Sequence, residues 1–170
     1  MQKVDYTFEQ IVDKVNEALN EFYTEDSDLL DRDVNERSIT HRFAVYLEQF
    51  FPEWDYHIDC EYNRNYREPK YLGLEPEDIK FLNNNLQSND TEARTVYPDI
   101  IIHRRNYNDQ NLLVIEAKKE KPSTKAESLD IRKLRAFTNL TDGNPYKYQW
   151  GLHVIFEKDS PRLKWFENGE

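Results

Sequence analysis

The sequence predicts an α/β (α+β) domain in which one sheet is flanked by helices. Three observations lead there. Apolar residues recur at helical spacing in two N-terminal stretches and once more after residue 127. Between and after those stretches the period falls to two, or apolar residues run together, as in strands. The order is thus helix, helix, three strands, helix, strand, which layers as a sheet with helices against it. A chain of 170 residues is long enough to bury such a core, and hydrophobic and aromatic shares of 38% and 14% fit a folded globule.

Phe8, Ile11, Val12, Val15, Ala18, Leu19 and Phe22 follow one face of a first helix. A polar acidic connection, TEDSDLLDRDVN, comes next. The second helix runs from Asn35 to Phe51 and is closed by Pro52, with Asp33 or Asn35 as N-cap. Its inward stripe is Ile39, Phe43, Tyr46, Leu47 and Phe50. In WDYHIDCEYN, Trp54, Tyr56, Ile58, Cys60 and Tyr62 alternate with polar residues, which reads as a half-buried strand with Cys60 on its apolar side. Residues 64–95 are polar and irregular, with room for a short helix at Pro76–Leu82. The strands VYPDIIIHRR and LLVIEAKK follow, joined by the turn-forming NYNDQN. A helix over Ser128–Leu140 turns Ile131, Leu134 and Phe137 inward. The last strand, YQWGLHVIF, sets Trp150, Leu152, Val154 and Phe156 against Gln149, His153 and Ile155. The tail SPRLKWFENGE reads as a surface extension. With no internal repeat, residues 1–170 form one domain: an acidic helix and connection over 1–33, a core over 35–156 and an extension over 157–170.

Composition narrows the function classes. Cys60 is the lone cysteine, so no intramolecular disulfide forms and a reducing compartment is implied. No apolar run approaches the roughly 18 residues that cross a bilayer, and MQKVDYTFEQ lacks a signal peptide's apolar region; a cytoplasmic protein without membrane contact is expected. The net charge of −10 is concentrated: residues 1–36 hold 3 Lys or Arg against 11 Asp or Glu. The rest is nearly balanced, with a basic cluster from Lys118 to Arg135, so a local basic groove for nucleic acid remains open. His41, His57, His103 and His153 show no zinc spacing, four glycines form no phosphate loop, and a buried Cys60 is a structural thiol rather than a nucleophile.

The chemistry-bearing residues are Pro98-Asp99 and Glu116-Ala117-Lys118. Glu116 and Lys118, two apart on a strand, share a face. If the two strands form a hairpin, the end of the second returns to Asp99 at the start of the first. Two carboxylates brought that close repel unless a cation sits between them, and Mg²⁺ is often held by one or two carboxylates, waters and substrate phosphate. Lys118 then holds the attacking water or stabilises developing charge. Glu36 joins independently: at about 100° per residue it falls within the stripe of Ile39, Phe43, Leu47 and Phe50. An acid in that phase is costly unless it is paired or binds something. Its plain alternative is to cap its own helix. Asp59, Glu61, Asn63 and Arg64 form a polar strand face leading to the cleft. Arg104 and Arg105 extend the next strand toward phosphates or simply water. Lys119, Lys121, Lys125, Arg132, Lys133 and Arg135 line a backbone-binding rim or an ordinary surface.

This arrangement resembles the PD-(D/E)xK nuclease superfamily, which includes restriction endonucleases and DNA repair nucleases. NERSITHRFAVYLE, DCEYNR, YPDIIIHRR and LLVIEAKK are similar to a group of small bacterial proteins with that core. The resemblance implies a restriction-endonuclease-like core of helix, three strands, helix and strand over 35–156, a mixed sheet, and an extra N-terminal helix. It further implies Asp99 and Glu116 as metal ligands, Lys118 as catalytic lysine and Glu36 as the acid of the first core helix, which could complete a second metal site. The expected activity is Mg²⁺-dependent phosphodiester hydrolysis of nucleic acid, foremost DNA, with Mn²⁺ able to substitute. Glu61, Asn63, Arg64, Arg104 and Lys133 are candidate substrate contacts. Cleavage of both strands of a duplex would pair two active sites in a homodimer or with a partner protein. The alternatives are an RNA-directed nuclease and a catalytically inactive adaptor of the same fold.

Overall fold

Thr7 opens the first helix: its hydroxyl accepts from the Gln10 amide while the Gln10 side chain accepts from the Thr7 amide, at 3.3 and 2.9 Å. In the computed structural model, which describes residues 5–32, 34–52, 56–62, 64–65, 68–69, 97–141 and 144–170, this helix is α1 (Phe8–Glu25). A single helical turn, α2 (Asp28–Asp31), follows within the acidic connection and buries Leu30. α3 (Glu36–Phe50) is capped by Asn35, whose side chain accepts from the Ser38 amide at 2.9 Å. Lys14 of α1 donates to the Phe50 carbonyl at the far end of α3, fastening the two helices.

Strands β1 (His57–Cys60), β2 (Arg64–Asn65), β3 (Glu68–Pro69), β4 (Ile100–His103) and β5 (Asn111–Lys119) come next. α4 (Thr124–Thr138), β6 (Trp150–Phe156) and β7 (Pro161–Phe166) complete the chain. Five strands form a mixed sheet in the order β1-β4-β5-β6-β7, in which β5 and β6 are parallel and the other neighbours antiparallel; β2 and β3 pair separately. A parallel pair needs a crossover connection, and α4 supplies it.

The period-two alternation divides the core. Ile100, Ile102, Leu113, Ile115 and Ala117 face α1 and α3, where Phe22 and Phe43 meet Phe156 at ring separations of 5.0 and 5.5 Å. Ile101 and Val114 face α4 through Leu134 and Phe137. β6 is therefore buried on both faces, and His153 and Ile155 lie under α4 rather than toward water. Gly151 makes the close approach possible: a Cβ there would stand 3.1 Å from the Thr138 methyl and 3.3 Å from Phe166 Cβ.

The structure corrects several sequence expectations. The tail after Ser160 is no surface extension: β7 closes one edge of the sheet, Phe166 is buried, and Leu163 and Trp165 pack on the other core layer. α4 begins at Thr124 rather than Ser128, because Ser123 caps it by accepting from the Ala126 amide at 3.2 Å. The first central strand is only His57–Cys60; Glu61 takes φ 48°, which ends the alternation and swings Tyr62 against His103 on the opposite face. Cys60 is exposed, because it lines an open cavity between β1 and the first turns of α3 rather than packing under the helix. Phe8 is 39% exposed and packs against Trp150 and Trp165 at the sheet edge. Asp33, Trp54, Asn63 and the expected helix at Pro76–Leu82 lie outside the described residues, as does the Arg64 side chain.

Two stability outcomes follow. Gly151→Val drives branched carbons into Thr138, Phe166 and Leu134, and is expected to cost about 1–3 kcal/mol in urea unfolding. Asp59 accepts from His103 at 2.8 Å and is paired with Arg105. Burial alone would raise its carboxyl, but these two partners outweigh burial and hold it far below the usual range. Its contribution is thus present above the unfolded carboxyl's pKa of about 3.9 and is lost as pH falls below it. Asp59→Asn is expected to cost about 2 kcal/mol at pH 7, with the gap between variant and wild type closing under acid.

Candidate active site

β4 starts at Ile100 opposite Ile115, while β5 continues to Lys119. The last amides of β5 therefore project beyond their antiparallel neighbour. Two carboxylates take the vacant ladder positions. Asp99 Oδ2 accepts from the Ala117 amide at 2.7 Å, and Glu36 Oε2 accepts from the Lys119 amide at 3.1 Å. Glu36 reaches this point because it is the first residue of α3, with Asn35 doing the capping. The capping alternative for Glu36 is thus set aside.

Between these acids stands the Lys118 ammonium, 3.0 Å from Glu36 Oε1, 3.4 Å from Asp130 Oδ2 and 3.9 Å from Asp99 Oδ2. It also donates to the Ala117 carbonyl at 3.1 Å. Burial would lower its pKa, but the carboxylates of Asp99, Asp130, Glu116 and Glu36 outweigh that and raise it well above the ordinary lysine value. Lys118 is a fixed positive charge and a donor.

Glu116 points toward α4 and is 1% exposed. Its Oε2 accepts from Lys133 at 2.5 Å, while its buried Oε1 has no hydrogen-bond partner among the described residues. Burial pushes its carboxyl well above the usual range; Lys133 opposes that, and Asp99 and Asp130 add to it. Asp130 lies 3.9 Å from Lys133 and 3.6 Å from His153 Nε2, the latter too long for a hydrogen bond. For Asp130, burial is outweighed by His153, Lys118 and Lys133, which hold its carboxyl below the usual range.

The four principal candidates, Glu36, Asp99, Glu116 and Lys118, thus gather at one end of β5. Asp130 and His153 complete the cluster without having been assigned to it, and Lys133, a candidate substrate contact or rim residue in the sequence, is a buried partner of Glu116. Helical phase carried the missing signal. Asp130 and Lys133 share the buried face of Leu129, Leu134 and Phe137, so the reasoning that selects Glu36 selects them too. Glu61 lines a cavity of about 200 Å³ with Glu36, Arg37, Thr40, His41, Cys60 and Asp99, and pairs with Arg37 at 2.8 Å. Arg104 lies beyond the other end of β4 and bonds Gln110, away from the cluster. Arg105 is engaged with Asp59. Although Cys60 is exposed at the cavity wall, desolvation by the surrounding protein and the acids Asp59, Glu61, Asp99 and Glu48 push its thiol up to about 11, so it stays protonated and weakly nucleophilic.

Among the described residues no three His, Cys, Asp or Glu side chains form a metal-holding group. A closed zinc-type cage is therefore not what this donor set offers. Mg²⁺ asks for less: one or two carboxylates, with water and phosphate completing the shell. Asp99, partly exposed at the cavity, and Glu116, with its orphaned buried oxygen, fit that need. The cluster's charge agrees, because four carboxylates face two ammonium groups, Lys118 and Lys133. No protein-family model, curated protein or solved structure matches this chain, so its geometry is what speaks for its function.

Proposed function

We propose that this chain is a metal-dependent nuclease of the PD-(D/E)xK superfamily, hydrolysing phosphodiester bonds of nucleic acid, foremost DNA. The observation that carries this reading is the meeting of Glu36, Asp99, Glu116 and Lys118 at one end of β5, beside an open cavity. The succession α3, β1, β4, β5, α4 and β6, with β6 parallel to β5, supports the restriction-endonuclease-like core.

Asp99 and Glu116 would hold Mg²⁺ or Mn²⁺. Bound there, the ion supplies charge neutralisation at a scissile phosphate and a more acidic attacking water. Lys118 stabilises the negative charge that develops on the phosphate, a role suited to a permanently protonated donor in a partly desolvated site. Glu36 and Asp130 position Lys118 from α3 and from α4. The adaptor reading draws on one observation: Lys133 already neutralises Glu116, as it would in an inert ion pair.

Purified protein is expected to cleave labelled DNA, or RNA, with Mg²⁺ or Mn²⁺ and to stop on addition of EDTA. Asp99→Asn retains an acceptor for the Ala117 amide, so it should fold, yet lose metal affinity and cleavage together. Lys118→Met should keep Mn²⁺ binding by calorimetry while turnover falls about 100-fold. Glu116→Gln is the proper ligand variant, since Glu116→Ala would strand the Lys133 ammonium at a cost of about 3–5 kcal/mol. A wild type inert on every substrate and without metal affinity would decide for the adaptor.

A further inference from the structure

Lys133 has no assigned part in the reading above, yet it makes the shortest contact to the most buried acid of the site. Its ammonium lies 2.5 Å from Glu116 Oε2 and 3.9 Å from Asp130 Oδ1, with side-chain exposures of 8%, 1% and 6% for the three groups. The pair is incompletely satisfied. Glu116 Oε1 and Asp130 Oδ2 are both buried without a hydrogen-bond partner among the described residues. Buried acceptors left in that state are rare in folded proteins and call for an explanation. One ammonium supplies one positive charge to a pocket in which four carboxylates face two lysines. A divalent cation would supply the charge that is missing. Lys133 is also suited to yield, because its ammonium is a point charge on a flexible stem and Asp130 is a second acceptor on its own helix.

We propose that Lys133 is an internal counter-ion that occupies the Glu116 carboxylate in the metal-free protein and gives it up to a divalent cation. The inference rests on the metal site proposed above, and it assigns Lys133 a role in setting the metal affinity of that site. The protein stays folded without metal because Lys133 keeps Glu116 compensated, and it binds metal more weakly than its ligands alone would allow. Affinity falls by the fraction of time the carboxylate is free, so a lysine bound nine-tenths of the time weakens binding about tenfold.

The test measures binding of Mn²⁺ alone by calorimetry, and thermal melting in EDTA and in Mn²⁺, for wild type, Lys133→Met and the double variant Glu116→Gln/Lys133→Met. Lys133→Met should bind Mn²⁺ at least about tenfold more tightly than wild type. It should melt several degrees lower in EDTA and recover in Mn²⁺, by more than wild type gains. The double variant, which lacks the Glu116 carboxylate that Lys133 occupies, should lose both the tight binding and the Mn²⁺-dependent gain. Should Lys133→Met not fold in either buffer, Lys133→Gln keeps a donor for Glu116, removes the charge and carries the same comparison. Equal or weaker Mn²⁺ binding by the single variant overturns the proposal, as does a double variant that responds like the single one. No Mn²⁺ binding by any of the proteins overturns both this proposal and the metal site. Tighter binding that depends on Glu116, with no cleavage of any nucleic acid, leaves the exchange standing and defeats the nuclease reading.

Discussion

The burial of Glu116 constrains everything around it. An ionised carboxylate in the middle of a sheet, beneath a helix, costs several kcal/mol unless a charge and hydrogen bonds compensate it. α4 must then lie across this face in a register that brings Lys133 over Glu116. That placement depends on topology. β5 and β6 are parallel, so α4 has to cross the sheet between them. Gly151 lets α4 descend far enough for Thr138 and Leu134 to reach the strand. A closely seated helix and a buried ion pair are two sides of one arrangement.

A purely structural ion pair would be expected to close on itself. This one does not. Asp130 shares its two oxygens among Lys118, Lys133 and His153 at 3.4 to 3.9 Å, distances that give attraction without a well-formed hydrogen bond. Such a cluster is less favourable than an apolar core of the same volume. The proposed site draws on that openness: Glu116 Oε1 and Asp130 Oδ2 keep acceptor capacity that no described residue fills.

Much of this was legible in the sequence. Period-two alternation located β1 and β6, continuous apolar runs located β4 and β5, and helical phase turned Glu36 inward. What escaped has a physical pattern. Asp130 and Lys133 carry the phase of Leu129, Leu134 and Phe137, but charged residues on a helix are ordinarily read as its solvated face. In β7, Arg162 and Lys164 conceal an alternation of Leu163 and Trp165 that packs onto the sheet. Cys60 keeps the face expected from Tyr56 and Ile58 and is exposed nonetheless. Alternation gives the direction of a side chain and not the extent of the layer above it. Arg104 and Arg105 stand apart from the cluster for a simpler reason: Asp99 precedes β4 and Arg104 follows it, so one strand's length separates them.

The position of Asp99 and Glu36 has a cause independent of any metal or substrate. An extended strand sends alternate amides to the same side, so the amides of Ala117 and Lys119 emerge together from β5. On the other side β6 remains paired through Lys119. The amides of Ala117 and Lys119 would be left to water or unpaired were it not for two side chains, one just ahead of β4 and one at the first turn of α3. Backbone accounting demands acceptors there. Acids at both places satisfy the ladder and retain one further oxygen each; that of Glu36 is engaged with Lys118. The carboxylates are therefore held in place by the sheet's own unfinished hydrogen bonding before any ligand arrives. That is the preorganisation an electrostatic active site requires, and it explains why the cluster forms where β4 stops and β5 continues.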